Sequence, residues 1–257
     1  ASTSSIQFSR ISSSLNEDAR FNASIIEYIG PSGGPNEFMV RERLVVNLNE
    51  STNSVDQIIN GVVNKDKCIP FITGILNTST DEDADSSTAL AFLNSDSSIT
   101  VRKGSNANNV TVYITLVEFI GSNWTVLHGS SGDTGSRTGN ITLRNGSDGT
   151  TGAPTPVSSW SNAAIFGQHI GDTNANGVDD AIADNWPLFE PNGNSTVEWE
   201  FDSDHDSNGN NLQFVHVLSN SDNNSMRVAR GNENDSNADA ITDIDIFGFG
   251  AQITDLN

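Results

Sequence analysis

The run of residues best suited to hold an ion is Asp172-Thr173-Asn174-Ala175-Asn176-Gly177-Val178-Asp179-Asp180-Ala181-Ile182-Ala183-Asp184. Oxygen-bearing side chains fall at the first, third, fifth and ninth places, and the sixth is a glycine that permits a sharp turn. Calcium takes six to eight oxygen ligands, and alternating Asp and Asn on a tight loop supply them. A second stretch, Asp202-Ser203-Asp204-His205-Asp206-Ser207-Asn208-Gly209, also alternates oxygens, with its glycine displaced. Asp202, Asp204, Asp206 and Asn208 are its candidate ligands. The run Asp81, Asp83, Asp85 has the alternation without a glycine. Ca2+ in any of these places is expected to be structural, clamping loops and offsetting repulsion among carboxylates. The competing reading is a set of solvated acidic turns.

The 172–184 run resembles the calcium loops of thrombospondin type 3 repeats. The resemblance implies side-chain ligation by Asp172, Asn174, Asn176 and Asp180, with Val178 giving its carbonyl. The chain departs from the pattern in two ways. The third and fifth places are Asn, so the site carries less charge, and the twelfth is Ala183, with the acid one residue later at Asp184.

No arrangement of catalytic side chains stands out. His128, His169, His205 and His216 lack metal-ligand spacing, and His128 and His216 fall on or at the end of predicted strands, where a satisfied polar or edge position is expected. There is no His-Glu-x-x-His and no phosphate loop. Cys68, the single cysteine, lies in the apolar run Cys68-Ile69-Pro70-Phe71-Ile72, so it is expected to be a buried structural thiol. Trp124, Trp160, Trp186 and Trp199 sit in or beside apolar runs, which favours packing over sugar stacking. The chain is read as non-enzymatic.

Composition narrows the partners. With 33 acidic and 12 basic residues the net charge is -21, which repels nucleic acid and anionic membranes and attracts cations. No apolar stretch approaches the roughly 18 residues of a membrane span. The sequence starts at Ala1 rather than Met, which fits either a processed secreted chain or a trimmed one. Asn-x-Ser/Thr sequons occur at Asn22, Asn49, Asn77, Asn109, Asn123, Asn140, Asn145, Asn194, Asn223 and Asn234, the candidate glycosylation sites. An extracellular or cell-surface location is expected, with a virion surface as the alternative.

The elements that must position these residues read as strands. Segment a recurs as Ser5–Arg10, Ser98–Arg102 and Thr196–Phe201, with period-two alternation each time. Segment b recurs as Ser24–Gly30, Ile114–Gly121 and Leu212–Leu218, the first two sharing Ile/Val-Glu-aromatic-Ile-Gly. Segment c recurs as Phe38–Arg43, Trp124–Gly129 and Met226–Gly231. A longer apolar segment e covers 58–75, 160–170 and 241–253, and an acidic segment f covers 81–93 and 172–189. Turn-rich linkers join b to c, which read as hairpins, and Asn-Gly pairs such as Asn60-Gly61, Asn145-Gly146 and Asn192-Gly193 supply positive-φ turn residues. Pro70 points to a strand start or an edge strand. The Gly129–Ser159 stretch reads as a long loop around a short strand at 141–143.

The fold class expected is all-β, tandem β-sandwich modules from a degenerate repeat of about 95 residues, with very little helix. Modules are expected at 56–129 and 157–231, separated by the loop region 130–156 and flanked by half-modules at 1–55 and 232–257. The half-modules close on each other, or pair with a neighbour by strand complementation with residues 4–10 as the donor. The second route makes a head-to-tail filament. The general look resembles repetitive extracellular and virion β-sandwich surface proteins. A structural subunit of a surface filament or sheath is therefore the expected function, with copies of itself as partners. A virion fibre, adhesin or lectin-like protein binding glycans is the alternative.

Overall fold

The computed structural model describes residues 30–77, 88–104, 109–134, 136–171, 187–201, 211–222, 226 and 228. Among them every regular element longer than one turn is a strand. The first six are β1 (Met39–Leu48), β2 (Ser54–Ile58), β3 (Cys68–Asn77), β4 (Ala89–Ser95), β5 (Ser98–Lys103) and β6 (Val110–Glu118). They are followed by β7 (Trp124–Thr134), β8 (Thr138–Thr142), β9 (Ala163–Ile170), β10 (Leu188–Asn192), β11 (Thr196–Glu200) and β12 (Asn211–Asn220). The protein is all-β.

The strands form four antiparallel sheets, ordered β1-β6-β3, β2-β5-β4, β7-β12-β9 and β10-β11-β8. The second six strands follow the order of the first six: in each set the sixth strand sits between the first and third, and the fifth between the second and fourth. A one-turn 3-10 helix precedes the third strand in both sets, at Lys65–Lys67 and Trp160–Asn162. We call the two sets the first and second unit.

Alternation explains how each unit closes. In β6, Val110, Val112, Ile114 and Leu116 point inward and meet Leu44, Val46 and Leu48 of β1. Ile99 and Val101 of β5 and Ala91 and Leu93 of β4 complete this core from the other sheet. The second core gathers Leu127, Val215 and Val217 against Ile141, Val197 and Trp199. Pro70 lies in β3, an edge strand, where its missing N–H leaves no gap in the ladder.

The units then pack on each other. Residues Leu212 to Asn220 of β12 are buried without interruption. Val215 and Val217 face the core of their own unit, while Phe214 stacks on Phe92 of β4 with ring centroids 5.4 Å apart. Leu90, Ile170, Leu212 and Phe214 form one buried cluster across this contact.

Three local expectations need correcting. The described copy of segments b and c at 114–129 does not form a hairpin: β6 pairs with β1 and β3, and β7 pairs with β12. The linker at 119–123 instead carries the chain from one unit to the next, and the hairpins are β4–β5 and β10–β11. Gly61 and Gly193 have φ of +81 and +70, but Gly146 does not take a positive φ. There the constraint is space, because a Cβ would stand 2.5 Å from the Thr151 carbonyl oxygen. The Gly-rich stretch is also more ordered than a long loop, since β7 runs to Thr134 and β8 spans Thr138–Thr142.

Candidate functional site

The seam between the units holds the most closely coupled polar side chains. His128 on β7 and His216 on β12 stand opposite each other in register, both fully buried, with their Nδ1 atoms 2.9 Å apart. Nε2 of His128 faces the Asp66 carbonyl oxygen at 3.3 Å, in the 3-10 turn of the first unit. With that nitrogen carrying the proton, Nδ1 of His128 accepts from Nδ1–H of His216. Nε2 of His216 then has no hydrogen-bond partner among the described residues. Burial drives the pKa of His128 down to about 4, against smaller upward pulls from the Asp66 carbonyl and carboxylate. Burial and the neighbouring His128 ring push His216 well below its usual value. Both rings are therefore neutral at physiological pH, and the pair acts as a packed polar contact.

Other polar groups knit the same seam. The Asp66 carboxylate accepts from Lys65 Nζ at 2.8 Å and from the Ser147 backbone N–H at 2.9 Å. Burial alone raises the pKa of Asp66, but these partners outweigh it and lower it. Ser147 Oγ donates to the Leu93 carbonyl at 2.7 Å. Gln168 of β9 reaches both edge strands of the first unit: its Oε1 accepts from Ala91 N–H at 2.7 Å and its Nε2 donates to Pro70 C=O at 2.9 Å.

Glu118 is the acid that recurs in segment b, and it too is structural. It is buried, accepts from Arg41 Nε at 2.7 Å and from the backbone N–H groups of Asn64 and Val63. Cys68 is buried beside it. Burial, aided by the Glu118 charge, raises the thiol far above its usual pKa, so it is unreactive.

An apolar groove of about 620 Å³ opens between the β1-β6-β3 sheet and the β7-β12-β9 sheet. Phe71 and Phe166 meet edge-on across it at 5.0 Å. It offers aromatic and aliphatic walls, and among the described residues no buried acid, base or nucleophile lines it.

The sequence-predicted sites distribute unevenly. Asp172, Asn174, Asn176, Val178, Asp180 and Asp184 lie outside the described residues, as do Asp202, Asp204, Asp206, Asn208 and the Asp81–Asp85 run. Asn22, Asn223 and Asn234 lie outside them too. Of the other sequons, Asn49, Asn109, Asn140, Asn145 and Asn194 are exposed, while Asn77 and Asn123 are half-buried. Among the described residues no three His, Cys, Asp or Glu side chains are grouped to hold a metal ion. The histidine pair was missed because its members are 88 residues apart in the chain. The alternation of β12 would have found one clue: a histidine on the face shared with Phe214 and Leu218.

No protein-family model matches the chain, and no curated protein or solved structure matches it either.

Proposed function

We propose that this chain is a non-enzymatic structural subunit of an extracellular or surface assembly, and that copies of it associate through the outer face of the β1-β6-β3 sheet. The observation that carries this reading is the exposure of that face. Val45 and Tyr113 are cross-strand partners, and they are 58% and 40% exposed. Ser130 and Phe214 are the partners at the corresponding place in the second unit, where Phe214 is buried under β4. The first unit thus presents a face of a kind that the second unit covers with a strand edge. Leu76, 42% exposed, extends the patch along β3.

Two further features support a structural role. Asp66, Ser147 and Gln168 of the seam spend their hydrogen bonds on each other's neighbours and on backbone, which suits a rigid building block better than a reacting centre. The sequons at Asn49, Asn109, Asn140, Asn145 and Asn194 are exposed, as glycan attachment on a surface protein requires.

Sedimentation velocity over a wide concentration range, with electron microscopy of the concentrated protein, tests this. Wild type is expected to associate with rising concentration. Val45→Glu should weaken association by about tenfold or more, the equivalent of about 1.4 kcal/mol. A chain that stays single at all concentrations and binds sugars on a glycan array would favour a fibre tip, adhesin or lectin-like protein instead.

A further inference from the structure

The outer face of the β1-β6-β3 sheet divides into rows set by its register. Val40, Val117 and Ile69 form one row, Arg43, Thr115 and Phe71 the next, and Val45, Tyr113 and Gly74 a third. Residues directly opposite in an antiparallel pair point to the same side, so each row rises from one face. The first two rows give Val40, Val117, Thr115 and Phe71 to one wall of the apolar groove, and Phe166 and Leu218 of the second unit stand across from them. Beyond Val117 the groove is lined by an aromatic cluster, in which the ring of Phe119 lies 5.9 Å from that of Phe38 and 5.4 Å from that of Trp124.

Much of this apolar surface meets water. Val40 is 44% exposed, and Phe38, Phe71 and Phe166 are only half-buried. The groove's 620 Å³ falls within the roughly 300–1,000 Å³ of sites that take small molecules. From Thr115 to Phe119 the strand and its extension cover about 14 Å, at about 3.4 Å per residue. An extended alkyl chain of medium length matches that span, and the rings along it offer only apolar contact.

The other end of the groove is polar. Arg43 stands beside Thr115 there, exposed and with no hydrogen-bond or ion-pair partner among the described residues. An unpaired guanidinium stands out in a chain with 33 acidic and 12 basic residues. Arg41, two residues earlier, is by contrast paired with Glu118 at 2.7 Å, so the acid next to Val117 carries no uncompensated charge. The Thr73 hydroxyl is spent on the Tyr113 carbonyl at 3.3 Å, which leaves the Thr115 hydroxyl beside Arg43. A guanidinium holds a carboxylate by two parallel hydrogen bonds. In the second unit His128 occupies the place of Arg43, opposite His216, and the seam buries both. Only the first unit thus offers a cation at this position to a ligand.

We propose that the groove binds a free medium-chain fatty acid, with its alkyl chain between Val117 and Phe166 and its carboxylate on Arg43 and Thr115. Apolar walls closed by one cation at one end fit a ligand with an apolar body and a single anionic head. The net charge of -21 disfavours an anionic membrane as the source of the chain, because repulsion from a whole charged surface exceeds that from one carboxylate. The site goes beyond the assembly reading and does not rest on it. Val45, Tyr113 and Leu76, the association patch, lie in the following rows of the same face.

Calorimetric titration of the whole chain with dodecanoate tests this, below the micelle concentration and with the protein diluted until sedimentation shows single molecules. One dodecanoate per chain should bind. Removing two carbons should weaken binding about tenfold, and dodecanol should bind about tenfold less tightly than the acid. Arg43→Gln should lose that same factor for the acid and none for the alcohol, with Arg43→Lys in between. Val40→Glu, at an exposed position of the groove wall, should weaken binding about a hundredfold or more. No saturable binding, equal binding of acid and alcohol, or binding indifferent to Arg43→Gln or Val40→Glu each overturns the proposal. Leu76→Glu lies in the association patch two rows from Arg43. It should weaken association and leave dodecanoate binding unchanged; binding lost together with association would place the ligand between copies and overturn the groove site. A chain that binds dodecanoate and never associates would fail the assembly reading alone.

Discussion

His128 and His216 make the stability of the seam depend on pH. Each ring is held neutral in the native protein, His128 with a pKa of about 4 and His216 well below its usual value. In the unfolded chain each takes a proton near pH 6.5. Between about pH 6.5 and pH 4 the unfolded chain therefore binds more protons than the native one, and stability falls as pH drops. The limit is about 1.4 kcal/mol per pH unit for each ring. Above pH 7 both rings are neutral in both states and contribute no slope. Asp66 and Asp148 act lower on the scale. Burial raises both carboxyls, but hydrogen bonds from Lys65 and then Ser147 to Asp66, and from the Thr151 and Thr150 backbone to Asp148, outweigh it. Their stabilisation is present above the ordinary carboxylate pKa and disappears as pH falls below about 4. Urea unfolding at a series of pH values should show these two falls. His128→Gln should remove about one proton's worth of slope between pH 6.5 and 4, and an unchanged slope would show that the pair is not its source.

At the scale of elements, Gln168 is the clasp between the units. It accepts one hydrogen bond from Ala91 N–H and donates one to Pro70 C=O, on the two edge strands of the first unit, and so caps two open edges with a single amide. Gln168→Ala strands a buried donor and a buried acceptor, at a cost of about 1–3 kcal/mol each. Unfolding curves should shift by that amount. If instead they split into two transitions, the clasp is also what makes the units unfold together. The sequence made some elements easy to read and others hard. β6 was legible because one face enters the core while Tyr113 and Thr115 look outward, so its hydrophobicity alternates. β12 was harder, since both of its faces are buried and the pattern runs together. Partner choice was not legible at all. β1 pairs with β6 across the whole of the first unit, whereas the nearby b and c segments pass to different sheets. Local turn residues report that the chain reverses, but long-range burial decides which strand it meets. The histidine seam was hidden for the same reason.

On the scale of the whole molecule, charge outweighs every local contact in reach. Segments 78–87, 172–186 and 202–210 together carry 11 of the 33 acidic residues and no Lys or Arg. The described residues at their borders converge: the Gly171 N–H donates to Thr88 Oγ1 at 2.9 Å, and Ile170 pairs with Leu212. Eleven acidic residues, set against a net charge of -21, are thus concentrated in three short stretches of the sequence. Repulsion of this kind destabilises the compact state and is screened over about 10 Å at 0.1 M salt. Thermal unfolding at low ionic strength should therefore occur at a lower temperature, and sodium chloride should raise it. A bound divalent ion adds more than screening does, because oxygens held on alternating Asp and Asn gain by direct ligation. Calcium at millimolar concentration is expected to raise the midpoint beyond sodium chloride of equal ionic strength, a chelator to reverse the gain, and Asp172→Asn with Asp180→Asn to remove most of it. Equal effects of the two salts would reduce the acidic segments to solvated loops whose charge is merely screened.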